Sequence, residues 1–157
     1  MTAAVSSSGQ VNLSWAASAS ASGYNVKRST TSGGAYIPVA MNLTELAYAD
    51  ASLVNGITYY YIVTATNSFG ESVDSIEASA HPVSTTSLPI DFALNAGQMQ
   101  LNWPTDHLGW RLEMQTNVPG AGLGTNWVAI PNSDATNQIV MPIHPEDGSV
   151  FFRLVYP

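Results

Sequence analysis

Apolar and polar side chains alternate along residues 11–15, with Val11, Leu13 and Trp15 set against Asn12 and Ser14. Successive side chains of an extended chain point to opposite faces, so this spacing predicts a half-buried strand with the first three inward. Residues 23–28 alternate again and place Tyr24 and Val26 inward. A short strand follows over residues 36–40, and Pro38, which has no N–H to give to a ladder, assigns it to a sheet edge. Residues 43–50 supply the next strand. The strongest run is 55–67: it opens on the turn signal Asn55-Gly56 and continues through β-branched and aromatic residues. Period two puts Tyr59, Tyr61, Val63 and Ala65 on one face and Tyr60, Ile62, Thr64 and Thr66 on the other. Both faces are apolar enough for a central strand. Residues 72–80 predict a last strand and residues 2–6 a shortened first one. Short strands separated by turns at intervals of about ten residues predict an all-β antiparallel sandwich.

The pattern then starts again. Residues 81–89 contain Pro82 and Pro89 among Ser and Thr and read as a stiff linker. Beyond it, Met99, Leu101 and Trp103 repeat the spacing of Val11, Leu13 and Trp15, and Gly109-Trp110 repeats Gly23-Tyr24. Residues 125–131 stand where 35–39 stood, 137–143 predict a further strand, and 148–155 stand where 56–63 stood. The second copy has no counterpart of the last strand. The expectation is two tandem antiparallel β-sandwich domains, residues 1–86 and residues 87–157, the second one or two strands poorer. Its open sheet edge needs cover, from the first domain or from the blunting effect of Pro142, Pro145 and Pro157. Trp15, Tyr59 and Trp103 are expected to be largely buried.

Leu53, Gly56, Tyr59, Tyr61, Val63, Ala65, Asn67 and Gly70 together resemble the corner and sixth strand of a fibronectin type III domain in its bacterial form. The resemblance covers about residues 3–82 and implies that Tyr59 is the corner tyrosine, its hydroxyl bonded to backbone a few residues upstream. Residues 90–157, through Leu101-Asn102-Trp103-Pro104, Gly109-Trp110-Arg111-Leu112 and Phe151-Phe152-Arg153-Leu154, resemble a C-terminal Ig-like module. That module occurs at the ends of large secreted bacterial proteins, many of them polysaccharide-degrading. Neither resemblance carries catalytic or ligand residues with it, because such motifs specify a fold rather than a chemistry.

Composition narrows the partners. Of 157 residues only four are Lys or Arg, against eleven Asp or Glu, for a net charge of −7. So few cations build no phosphate footprint, which argues against nucleic acid and against an anionic membrane surface. The chain has no cysteine, which excludes disulfides and thiolate metal sites. No run approaches the ~20 apolar residues of a membrane helix. No signal peptide is visible before the first strand, so Met1 reads as an expression start on an excised fragment of a larger protein. Low charge, abundant small polar residues and the acidic balance fit a monomeric extracellular bacterial protein.

Chemistry is sparse. His81, His107 and His144 stand apart without ligand spacing, so no metal or cofactor is expected. The acids fall at strand ends and loops, where solubility explains them, and the run 120–124 lacks the Lys and helix of a phosphate loop. No catalytic set emerges. Aromatic rings are the remaining signal, because sugar rings dock on exposed Trp faces while amides and carboxylates bond their hydroxyls. Trp110 and Trp127, near the Asp106-His107 loop and the 120–124 connection, are the candidate stacking rings, with Asp106, His107, Gln115 and Asn126 as polar partners. The expected function is that of a non-catalytic accessory fragment of a secreted bacterial enzyme. As a carbohydrate-binding module it would hold the parent's catalytic domain on a neutral plant polysaccharide. The competing reading is a structural spacer or interaction module without a glycan ligand, in which both tryptophans pack.

Overall fold

The computed structural model describes residues 1–156, and the side chains of all of these except Val5, Ser6 and Pro145. Pro157 and the Pro145 side chain, two of the three prolines expected to blunt an open edge, lie outside the described residues. The chain divides into two compact units, Met1–Ser84 and Thr85–Pro157. Every ladder is antiparallel, and no α-helix occurs among the described residues.

The first unit runs β1 (Thr2–Ser7), β2 (Gln10–Ser14), β3 (Gly23–Ser29), β4 (Ile37–Leu43), β5 (Ala47–Asp50), β6 (Tyr59–Asn67), β7 (Gly70–Glu71) and β8 (Ala78–Ala80). One sheet has the order β1-β2-β5; the other has β4-β3-β6-β7, with β8 also on β6. Alternation places Val11 and Leu13 of the first sheet against Tyr24, Val26, Tyr59, Tyr61 and Val63 of the second, and Leu53 from the corner completes the core. Pro38 does sit on the edge strand β4. The β5–β6 corner is tied by the Val54 N–H, which donates to the Tyr59 hydroxyl at 3.0 Å, the bond that the resemblance implied. The Asn55 carboxamide oxygen accepts the Gly9 N–H at 2.7 Å, and Gly9 itself has φ +69° with no room for a Cβ beside the Leu53 carbonyl.

One charged cluster is built into this core. Asp50, 4% exposed, accepts from the Tyr61 hydroxyl at 2.9 Å and from Arg28 at 2.8 Å, so the buried carboxylate is paired rather than stranded. Burial and the neighbouring carboxylate push the Tyr61 phenol well above its ordinary range. On the outer face of the other sheet, Glu71 accepts from the Thr64 hydroxyl, from Lys27 at 2.9 Å and from Asn25 at 3.2 Å. Those three donors, Thr64 foremost, hold its carboxyl down at about 2.

Two expectations change here. Residues 72–80 do not form one last strand: only Gly70–Glu71 and Ala78–Ala80 pair as strands. Between them serine hydroxyls replace ladder carbonyls, Ser72 Oγ accepting the Ala65 N–H at 2.9 Å and Ser75 Oγ the Val63 N–H at 3.0 Å. The side-chain bond competes with the backbone ladder and leaves Val73 and Ile76 almost fully exposed. Trp15 lies beyond the end of β2 and is only partly buried, packing at the margin of the core against Tyr24 with ring centroids 5.7 Å apart.

The second unit runs β9 (Asp91–Asn95), β10 (Gln98–Asn102), β11 (Arg111–Asn117), β12 (Val128–Ala129), β13 (Gln138–Pro142) and β14 (Ser149–Val155). Its sheets have the orders β13-β10-β9 and β12-β11-β14. The core is small: Leu101, Trp103 and Leu112, with Ile130, Ile139, Phe152 and Leu154 packed around them. Strand β9 is an element absent from the sequence reading, which ended the linker at Pro89 and assigned no element to residues 90–97, although Ile90, Phe92 and Leu94 alternate. Strand β12 is shorter than residues 125–131 suggested, pairing only Val128 and Ala129 with β11. Gly148, with φ +74°, opens β14; a Cβ there would stand 2.6 Å from the Asn117 carbonyl, so the turn admits only glycine.

Candidate functional site

Strand β11 turns Leu112 toward the core and sends Arg111, Glu113, Gln115 and Asn117 to the other face. Register sets Glu113 opposite Arg153 and Gln115 opposite Phe151 on β14. Arg153 gives Nε and Nη2 to Glu113 Oε2 at 2.9 and 2.7 Å, and Arg111 gives Nε and Nη2 to Oε1 at 3.1 and 2.9 Å. These forked bonds, Arg153 first, hold the Glu113 carboxyl below the usual carboxylate range. The Arg153 guanidinium lies 4.3 Å from the centre of the Trp127 ring, so a cation covers one face of that indole.

The segment between β11 and β12 folds back over this surface and is held by amides. Gly124 N–H donates to Gln115 Oε1 at 3.0 Å, Gln115 Nε2 donates to Asn126 Oδ1, and Asn117 Nδ2 reaches the Gly122 carbonyl at 2.8 Å. Gln115 is left 1% exposed, while Asn126 is exposed and Trp127 partly buried.

The remaining sequence candidates gather elsewhere in the unit, at the 3-10 turn Thr105–His107. His107 is 2% exposed; its Nδ1 lies 2.6 Å from Asp106 Oδ1 and its Nε2 2.8 Å from the Thr86 carbonyl. The His107 ring packs on Trp110 at 5.0 Å between centroids, and Tyr156 meets the same indole edge-on at 5.6 Å. Trp110 is therefore enclosed at 6% exposure, while the Asp106 carboxylate remains half exposed.

The six candidates thus form two groups. Gln115, Asn126 and Trp127 share the outer face of β11, whereas Asp106, His107 and Trp110 share the turn. Each tryptophan has its own neighbours: Trp110 packs with His107 and Tyr156, Trp127 with Arg153. Sequence reading missed Arg111, Glu113, Asn117 and Arg153. The available signal was that two of the chain's four cations stand at outward positions of two strands.

Nothing in this arrangement is catalytic architecture. The unit is a β-sandwich whose polar side chains are spent on one another, and among the described residues no three His, Asp or Glu groups stand close enough to hold a metal ion. Among the described residues no helix is long and apolar enough to cross a membrane.

No protein-family model matches the chain. The amylopullulanase of Thermoanaerobacter thermohydrosulfuricus is 42% identical over 97 residues, covering 61% of this chain and 6% of that enzyme. The amylopullulanase of Thermoanaerobacterium thermosulfurigenes is 34% identical over 131 residues, covering 79% of this chain and 7% of that enzyme. The chain thus spans less than a tenth of the length of these two relatives. Among solved structures, a segment of two fibronectin type III domains from chicken tenascin aligns with 99% of this chain and 89% of its own, at 13% identity and a TM-score of 0.52. The fold is that of fibronectin type III-like and Ig-like β-sandwich modules. At that identity the likeness to tenascin concerns the fold alone.

Proposed function

We propose that the chain is a non-catalytic accessory region of a larger, secreted, multidomain bacterial glycoside hydrolase. In this reading residues 1–86 form a fibronectin type III-like module and residues 87–157 an Ig-like module. The second module keeps the parent's catalytic domain on a neutral glucan of the kind for which amylopullulanase is named. The supporting observation is the match itself: 79% of this chain aligns with only 7% of a glycan-degrading enzyme, as expected of an appended module. The net charge of −7 favours a neutral over an acidic glycan.

The surface that suits a sugar is the outer face of β11 beside Trp127. There Asn126 offers an accessible amide and Gln115 holds it from beneath, whereas Asp106, His107 and Trp110 belong to the separate turn and are left out of this surface. Stacking on one indole is worth about 1–3 kcal/mol by analogy with base stacking, which by itself corresponds to a dissociation constant of roughly 5–200 mM.

The spacer reading is favoured by a separate observation. Gln115 and Asn126 already bond one another, Trp110 is enclosed, and Arg153 occupies one face of Trp127. Sedimentation of the protein with insoluble starch and cellulose, and affinity electrophoresis in pullulan, separates the two. Binding that falls in folded Trp127→Ala supports the glucan site. Absence of binding to all three, with the parent enzyme still losing stability when the region is deleted, supports the spacer.

A further inference from the structure

The edge of β14 that faces away from β11 has no ladder partner among the described residues. Seven consecutive residues, Ser149–Val155, contain no proline or glycine to interrupt pairing. A groove of about 600 Å³ runs beside this edge. Its lining includes every residue from Val150 to Leu154 in succession, so it follows the strand rather than crossing it. Leu88, Ile90, Phe92 and Met99 also line it. Phe92 is 67% exposed and Val150 37% exposed, so apolar surface stands open on both sides.

The first unit shows what covers such an edge. Its strand β6, which stands where β14 stands in the repeat, is paired by β3 on one side. On the other side a single returning segment satisfies it: Gly70–Glu71, then Ser72 N–H to the Ala65 carbonyl at 2.8 Å and Ser75 N–H to the Val63 carbonyl at 3.0 Å, then Ala78–Ala80. That cover is one returning segment, paired as an antiparallel strand at its two ends and held between them by Ser72 and Ser75.

We propose that the β14 groove accepts an extended segment of another protein, added to β14 as an antiparallel strand. The backbone edge calls for a strand, because only an extended chain meets its N–H and C=O groups at every second residue. The apolar groove calls for apolar side chains at alternate positions of that segment. On the outward face, Arg153 has committed Nε and Nη2 to Glu113 and remains half exposed, so the complementary residue there is a carboxylate.

The test uses the whole 157-residue chain. The probe is a synthetic peptide that alternates valine with threonine and carries one central glutamate on the threonine face. The same sequence is also fused behind the chain through a flexible Gly-Ser linker, so that the outcome does not hang on a weak affinity in trans. Expected results are saturable amide shift changes confined to β14 and the groove with the free peptide. The fusion should show a higher melting temperature and exchange of the Ser149–Val155 amides slowed by about tenfold or more. Lysine in place of the glutamate should weaken the free peptide. The exposed substitution Val150→Lys should reduce the gain without unfolding the chain. A fusion that leaves both melting and exchange unchanged overturns the proposal. Concentration-dependent protection of β14 in the unfused chain also overturns it, by assigning the groove to a second copy.

Discussion

In the first unit β6 is hydrogen-bonded on both edges and buried on both faces; its counterpart β14 is bonded on one edge and has Val150 open to solvent. The cores differ in the same direction. Eight residues, six of them from β3, β6 and the β5–β6 corner (Tyr24, Val26, Tyr59, Tyr61, Val63 and Leu53), form the buried cluster of the first unit, against Leu101, Trp103 and Leu112 in the second. The lesson is that one alternating pattern sustains two different levels of completion. The unit whose last edge is covered has the larger core, and the unit with the open edge has a core reduced to Leu101, Trp103 and Leu112.

The strongest way to break the comparison is at that tryptophan. Trp103→Ala removes the largest member of a three-residue core and is expected to cost ~3–5 kcal/mol, a large part of the stability of a small domain. The second unit should lose its cooperative transition in calorimetry while the first keeps its own. A single shared transition that shifts as a whole would show that the units do not unfold separately.

Next in size is the Asp50 cluster built into the core of the first unit. Asp50→Asn leaves Arg28 and the buried Tyr61 hydroxyl without their carboxylate and is expected to cost about 3 kcal/mol, since breaking one member of a buried pair strands the other. Tyr61→Phe should cost little more in an Asp50→Ala background, because there the bond it would remove is already gone. Additive losses would show that the two groups act independently.

Trp15→Ala sharpens the comparison at equivalent positions. The indole is partly buried at the margin of a larger core, so about 2 kcal/mol is expected, clearly less than for Trp103→Ala. Equal melting shifts would mean that Trp15 is as central as its spacing implied. Trp127→Ala should cost about 1 kcal/mol or less through the lost stacking of Arg153, so a folded variant remains for the glucan test.

The smallest effect is read by pH. The Glu71 carboxyl is held at about 2 by Thr64, Lys27 and Asn25, below its ordinary 4.5. A depressed carboxylate contributes stability above its unfolded value and loses it as pH falls through the folded one. Acid titration of the first unit should therefore show a decline between about pH 4.5 and 2. Glu71→Gln should flatten that limb. A limb of unchanged shape in the variant would locate the acid sensitivity at Glu77, whose carboxyl is lowered by Tyr36.

The periodicity of Val11, Leu13, Tyr24, Val26, Tyr59, Tyr61, Leu101 and Leu112 was enough to specify inward faces, because a strand has only two sides and burial selects one of them. The all-β class followed from the same alternation, and the corner bond of Tyr59 followed from the family resemblance. What alternation does not encode is competition for the backbone. Ser72 and Ser75 read as ordinary strand residues, yet their hydroxyls displace ladder bonds. Residues 91–95 were assigned to no element, although they pair with β10 along their whole length. The candidate surface shows the same division. Trp127 and Asn126 were legible as a ring and an amide near a glycine-rich connection, but a ring's open faces depend on what packs against it. Arg153 lies over Trp127 only because β14 pairs with β11 in a register that sets it opposite Glu113. Trp110 is enclosed because Tyr156, far along the chain, returns to its edge. Local spacing determined which side of each strand faces inward. Long-range register decided which polar groups are spent on each other and which edge was left open, because those bonds join residues whose separation in sequence carries no periodic signal.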